Sequence, residues 1–244
     1  MLHDLKTVVW KELKEILGQQ GRFKGGKMGM LVFLAVFGAF MPIQNGPDWI
    51  RSPFALIYWS WVPFLLASGV VADSFAGERE RHTLETLLAS RLPDRAILAG
   101  KIGAAVVYAW GLTVACALLG AAAVTVAHGH GRILFYSAPI AAGILGLTFL
   151  VALLASGLGV LVSLRAATVR QAQQTFSVVF LLMFVPLFIL PMLPAAFKAR
   201  LFAALSGLDP TAAALAAAAI LVAANAAVLA AADARFRRNR LILD

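Results

Sequence analysis

Six stretches of this chain, each 20 to 32 residues long, contain no Asp, Glu, Lys or Arg: Met28 to Pro47, Ser52 to Ala72, Ile102 to Ala127, Ile133 to Leu164, Gln171 to Phe197 and Thr211 to Ala232. A helix needs roughly 20 apolar residues to cross the hydrocarbon layer. Backbone polar groups at that depth must be satisfied within the segment, which selects helices here over irregular chain. The expected fold is an all-α integral membrane protein with six transmembrane helices. At 61% hydrophobic and 14% charged residues, the chain has far more apolar side chains than one soluble core of this length needs.

The charges lie between these stretches. Twenty-one Lys and Arg stand against twelve Asp and Glu, a net charge of +9. Of the basic residues, 17 fall in alternate segments: the N-terminus, 73–101, 165–170 and the C-terminus. Only four fall in the other three segments. The positive-inside rule therefore places both termini in the cytoplasm of a multi-pass protein of the inner (plasma) membrane. Nothing resembles the aromatic-interleaved basic stripe of a nucleic-acid surface, so nucleic acid is not an expected partner. Cys116 is the only cysteine, which excludes an intrachain disulfide. The 27 residues before the first span include Asp4, Glu12 and Glu15, too long and too acidic for the start of a signal peptide.

Those residues have helical periodicity. Leu2, Leu5, Val9, Trp10, Leu13, Ile16 and Leu17 share one face, with His3, Asp4, Thr7, Lys11, Lys14 and Glu15 opposite. Residues 1–20 are therefore expected to form an amphipathic helix in the headgroup layer, with Trp10, Lys11 and Lys14 at the membrane interface. The adjoining Gly21 to Met28, G-R-F-K-G-G-K-M, matches a phosphate-binding loop except at its last position. Met28 offers no hydroxyl for Mg²⁺, and neither flank has the strand-then-helix context that such a loop requires. Lys24 and Lys27 read instead as positive-inside charges.

The densest ionic cluster follows the second span. Glu78, Arg79, Glu80, Arg81, His82, Thr83, Leu84, Glu85, Thr86, Leu87 and Leu88 place three leucines at i, i+3 and i+4, the stripe of a short helix. Leu92-Pro93-Asp94 ends it, and Asp94 is placed to cap a second helix running through Lys101 into the third span. E-R-E-R-H-T-L-E-T-L-L followed by P-D-R-A-I-L-A-G-K resembles the signature of type-2 ABC exporter permeases, which usually carry Gly where this chain has His82. The resemblance implies that this segment is a coupling helix docking on a separate ATPase. Glu78, Arg79, Glu80, Arg81, Thr83, Leu84, Glu85 and Leu87 would form its surface. It also implies ABC ATPase subunits that hold ATP and Mg, no cofactor in this chain, and a second permease protomer, identical or not, completing a substrate pathway.

The remaining features are less specific. Pro186, Pro191 and Pro194, then Phe197, Leu201, Phe202, Leu205 and Leu208, resemble that family's short helices dipping into the outer leaflet, although a loop lying on the membrane fits equally. Asp209-Pro210 would open the last helix. Polar residues inside the spans include Thr113, Thr148, Ser156 and Asn225, and the ionisable Asp73 and Asp233 lie only near cytoplasmic ends; this scarcity of intramembrane ionisable groups argues against an ion-coupled mechanism. His128 and His130 lack further ligands for a metal, and Ala155 and Gly159 permit close helix packing. No catalytic motif occurs, so the chain by itself is not expected to be an enzyme. The organisation is an interfacial helix (1–20), a permease domain (21–235) and a basic cytoplasmic tail (236–244). An ATP-driven exporter of apolar or amphipathic substrates is the leading expectation. A membrane scaffold or assembly factor that only recruits partners is the alternative.

Overall fold

The computed structural model describes residues 2–22, 24–85, 89, 92–189, 192–198, 200 and 209–236. Helices account for nearly all of them. α1 is Leu2–Arg22 and α2 is Lys24–Ala35. A π-helical turn, Val36–Phe40, joins α2 to α3, Met41–Asn45. After Gly46, at φ 60°, come α4 (Asp48–Arg51) and α5 (Phe54–Glu80). Then follow α6 (Asp94–His128), α7 (Ala138–Arg165), α8 (Val169–Ile189) and α9 (Pro210–Arg235).

Five segments are long and apolar enough to cross a membrane: Met28–Asn45, Ala55–Glu80, Asp94–His128, Ala138–Arg165 and Ala214–Arg235. The protein is thus a multi-pass membrane protein. α8 also has the length, 21 residues or about 31 Å, and carries no charged residue after Arg170. The fifth expected span, Gln171 to Phe197, extends beyond this helix, since α8 ends at Ile189. Of the expected outer-leaflet segment, residues 195–198 and 200 are helical, while Leu201, Phe202, Leu205 and Leu208 lie outside the described residues.

Two expected boundaries shift. α6 begins at the second residue of Pro93-Asp94 and continues unbroken into the third span, as anticipated, but Pro93 occupies the cap position with no side-chain cap bond and Asp94 lies in the first turn. α7 begins at Ala138 rather than Ile133. Residues 133–136 are apolar but form loop. The Thr125 hydroxyl donates to Leu134 O at 2.8 Å and accepts from Leu134 N at 3.1 Å, and the Tyr136 hydroxyl donates to Ala117 O at 3.2 Å. Ser137 and Pro139 then supply the helix start.

The central pair of the bundle is α5 and α7. A Cβ at Gly159 would sit 2.6 Å from Val71 Cγ1 and 2.7 Å from Val71 Cβ, so glycine there is required by the approach of the helices, and Gly143 packs against the Leu56 side chain. The Ala155 and Gly159 pair is therefore used within the chain. Around this pair, Phe64, Val71, Phe75, Ile97, Ala155, Val160 and Phe176 form one buried cluster. Trp49, Trp59, Cys116, Val124 and Tyr136 form a second near the opposite end, so Cys116 faces helices and not lipid. α9 is largely exposed, with Leu215 and Ile220 70% or more accessible.

Candidate coupling site

The basic ends of the helices meet at one end of the bundle. The end of α5, the start of α6, the end of α7, the start of α8 and the end of α9 are joined there by side-chain bonds. Lys101, two turns into α6, is the centre. Its ammonium donates to Glu78 Oε1 at 2.7 Å, to Glu12 Oε1 at 3.1 Å and to Ser74 O at 2.9 Å. Only 2% of its side chain is accessible. An ion buried this deeply is tolerable only when it is paired and its donors are used, and three acceptors match the three N–H bonds of an ammonium. The Phe75 ring, 5.2 Å from Nζ, closes the remaining side.

Glu12 brings α1 into this centre. A Cβ at Gly100 would sit 2.3 Å from Val8 Cγ1, so glycine there lets α1 lie against α6. The inward face of α1 is therefore Val8 and Glu12, which are buried, whereas Trp10 is 62% exposed. Lys14 Nζ sits 5.2 Å from the Trp10 ring, and Lys11 pairs with Glu15 at 3.2 Å. Burial lowers the Lys11 pKa, but Glu12 and Glu15 outweigh it and hold the group above its ordinary value.

From Glu78 onward every charged side chain of the cluster up to Arg81 has a structural partner. The Arg79 guanidinium donates to the Ala166 carbonyl through Nη1 and to Leu164 O through Nη2 at 3.1 Å, satisfying carbonyls at the C-terminus of α7. Glu80 Oε1 accepts from Val169 N at 3.1 Å, at the N-terminus of α8. Arg81 turns back along α5 to Asp73, with Nη1 to Oδ1 at 3.1 Å. Burial would lower the Arg81 pKa, but the bond and charge of Asp73 raise it above the ordinary value.

α5 then stops in a defined way. His82 has φ 55°, its N–H bonds Arg79 O at 3.1 Å, and the Thr83 N–H bonds Glu78 O at 2.9 Å. These are the 5→2 and 6→1 bonds of a Schellman motif with His82 at C′, the position that most favours glycine. Thr83 and Glu85 are exposed, and Leu84 is half-buried against the main core cluster. Leu87 lies outside the described residues. The eight residues assigned to coupling therefore divide. Glu78 and Arg79 face inward, Glu80 and Arg81 are exposed but bonded, and Thr83 and Glu85 present themselves to solvent.

Glu12 and Lys101 were not singled out from sequence. Their signal is a charge set among apolar residues, Lys101 between Gly100 and Ile102 and Glu12 one helical turn from Val8, but only the fold pairs them. The interior Ser163 carries a similar role. Its hydroxyl accepts from Phe75 N at 3.0 Å and Ala76 N at 2.9 Å and donates to Ala72 O at 3.0 Å, which bonds α7 directly to the α5 backbone. Residues 21–22 and 24–28, the near-match to a phosphate loop, are helical and adjoin no strand among the described residues. No group of three His, Cys, Asp or Glu converges to hold a metal among the described residues, His128 and His130 included.

The family model described as ABC-2 type transporter matches residues 3–191. No curated protein matches the chain at a significant level. A family match running from α1 through the charged turn to the end of α8, on a multi-pass helical bundle, makes this chain a permease subunit of the ABC-2 type transporter family.

Proposed function

We propose that the chain is the membrane half of an ATP-driven exporter, with two permease protomers forming the pathway and separate ABC ATPases docking at the segment 78–88. The observation that carries this reading is the mounting of that segment. Lys101, Arg79 and Glu80 tie the end of α5 to α1, α6, α7 and α8, so a load applied just beyond His82 is distributed to the bundle. A loop with no mechanical duty has no need of four such ties. Rigid-body movement of the helices is the expected response to ATPase closure.

Six passes fit the same geometry. α8 starts at the basic end and α9 finishes there, where Asp233 pairs with Arg95 at 3.4 Å, so the chain between them must leave and return. The charge bias assigns that end to the cytoplasm, together with both termini. The exposed apolar length of α9 suits lipid or a second protomer, and the apolar interior suits an apolar or amphipathic substrate.

The test uses co-expression with an ABC ATPase and proteoliposome transport. Leu87→Asp should abolish ATPase pull-down and transport while leaving size-exclusion behaviour unchanged, since a leucine buried in a partner groove contributes roughly 1.5–3 kcal/mol. Glu85→Ala should weaken both less, as one charge-assisted contact at a rim. Retention of association and transport in Leu87→Asp would refute the coupling assignment. Association without any substrate-dependent turnover in the wild type would favour the scaffold alternative.

A further inference from the structure

Between the ends of α7 and α9 and the first turns of α8 lies a cleft of about 300 Å³ at the basic end of the bundle. Its walls are apolar, with Leu158, Leu161 and Val162 on one side, and its rim carries Arg165 and Arg235. These two arginines differ from four basic residues at the same end of the bundle. Lys101, Arg79, Arg81 and Arg95 all have acidic or carbonyl partners. The side chains of Arg165 and Arg235 have no hydrogen bond or ion pair among the described residues; that of Arg170 has none either, but it does not line the cleft. The acidic side chains on adjoining elements are engaged elsewhere, Asp233 with Arg95 and Glu80 with Val169 N. Gln171, also lining the cleft, has its oxygen occupied by Ala167 N at 2.9 Å, so only its donor side is left for a ligand.

Two unpaired guanidinium groups above apolar walls, where helices emerge from the hydrocarbon, form a site for an anion with an apolar tail. We propose that this cleft binds one anionic phospholipid per chain, its phosphodiester held by Arg165 and Arg235 and its first acyl carbons against Leu158, Leu161 and Val162. Arginine presents paired N–H donors that match a phosphate oxygen pair, and basic clefts between membrane helices at this depth select anionic headgroups. A net charge of two on the rim favours phosphatidylglycerol over zwitterionic phosphatidylcholine, which carries the same phosphate. The inference rests on the membrane assignment and is independent of ATPase coupling.

Native mass spectrometry of the purified full chain, titrated with phosphatidylglycerol or phosphatidylcholine in detergent, tests it. The wild type should retain one phosphatidylglycerol in preference to phosphatidylcholine. Arg165→Gln/Arg235→Gln should bind it about 30-fold more weakly, from the usual contribution of two surface arginines. Arg132→Gln, which changes one charge at the opposite end of the bundle, should leave binding unchanged. Thr175→Trp keeps both arginines but fills the cleft, and should also lose the lipid while remaining monodisperse. Equal retention of the two lipids, or unchanged phosphatidylglycerol binding in both the double variant and Thr175→Trp, would overturn the proposal. Inorganic phosphate competing as well as the lipid at equal concentration would also overturn it, because the apolar walls would then contribute nothing.

Discussion

Arg81 lies along α5 across Gly77 and bonds Asp73, eight residues earlier, and a Cβ at Gly77 would sit 1.9 Å from Asp73 Oδ1. The glycine is the gap through which the ion pair closes. Alanine is otherwise the better helix residue by about 1 kcal/mol. Gly77→Ala should therefore be neutral to destabilising in the wild type, where it displaces Asp73, yet stabilising by up to about 1 kcal/mol in an Asp73→Ala background. Thermal unfolding of the four variants in detergent gives the cycle. Equal effects in both backgrounds would separate Gly77 from the pair.

Lys101 should show the asymmetry of a buried charge. Lys101→Met leaves Glu12 and Glu78 without their cation and should cost about 3–5 kcal/mol or prevent accumulation of folded protein. The triple variant Glu12→Gln/Glu78→Gln/Lys101→Met removes all three charges and should recover much of that loss. Melting temperature and yield of monodisperse protein are the readouts. A triple variant no better than Lys101→Met would mean that the ammonium acts through packing alone.

His82 holds a left-handed conformation that costs an L-residue energy and costs glycine none. His82→Gly should raise stability by about 0.5–1 kcal/mol, whereas His82→Val should lower it by about 1–2 kcal/mol. A thermal melt series distinguishes these. Val equal to His would show that the turn is not held as described.

The orientation follows from charge and is checked by thiol labelling in a Cys116→Ala background. Lys24→Cys and Arg238→Cys should be shielded from an impermeant reagent added to intact cells, and His130→Cys should react. Labelling at 24 or 238 from outside would reverse the topology.

Five of the six expected spans were legible because uncharged length is a local property, readable one segment at a time. The continuity of Pro93-Asp94 into the third span was legible for the same reason, whereas the turn at position 82 was not, because His stands where the family usually carries Gly. Ile133 to Tyr136 were misplaced because hydropathy does not distinguish apolar loop packed on a helix from the helix itself; the change at Ser137-Ala138-Pro139 was the available signal. The triad of Glu12, Glu78 and Lys101 was not legible. It joins positions 89 and 23 residues apart, and which carboxylates reach an ammonium depends on helix packing that no local pattern encodes. Arg79 likewise reads as a surface charge until α7 is seen to end beside it.

The Ser163 hydroxyl has a mechanical meaning. Hydrogen bonds from α7 to the backbone of Ala72, Phe75 and Ala76 forbid α5 from sliding or rotating alone without breaking them. Twenty residues away along α7, about 30 Å, Gly143 packs against Leu56 at the far end of α5. The two helices thus behave as a single strut pinned at both ends, and a displacement applied at His82 reaches the opposite face of the membrane as a tilt of that strut, not as a shift of one helix past its neighbour.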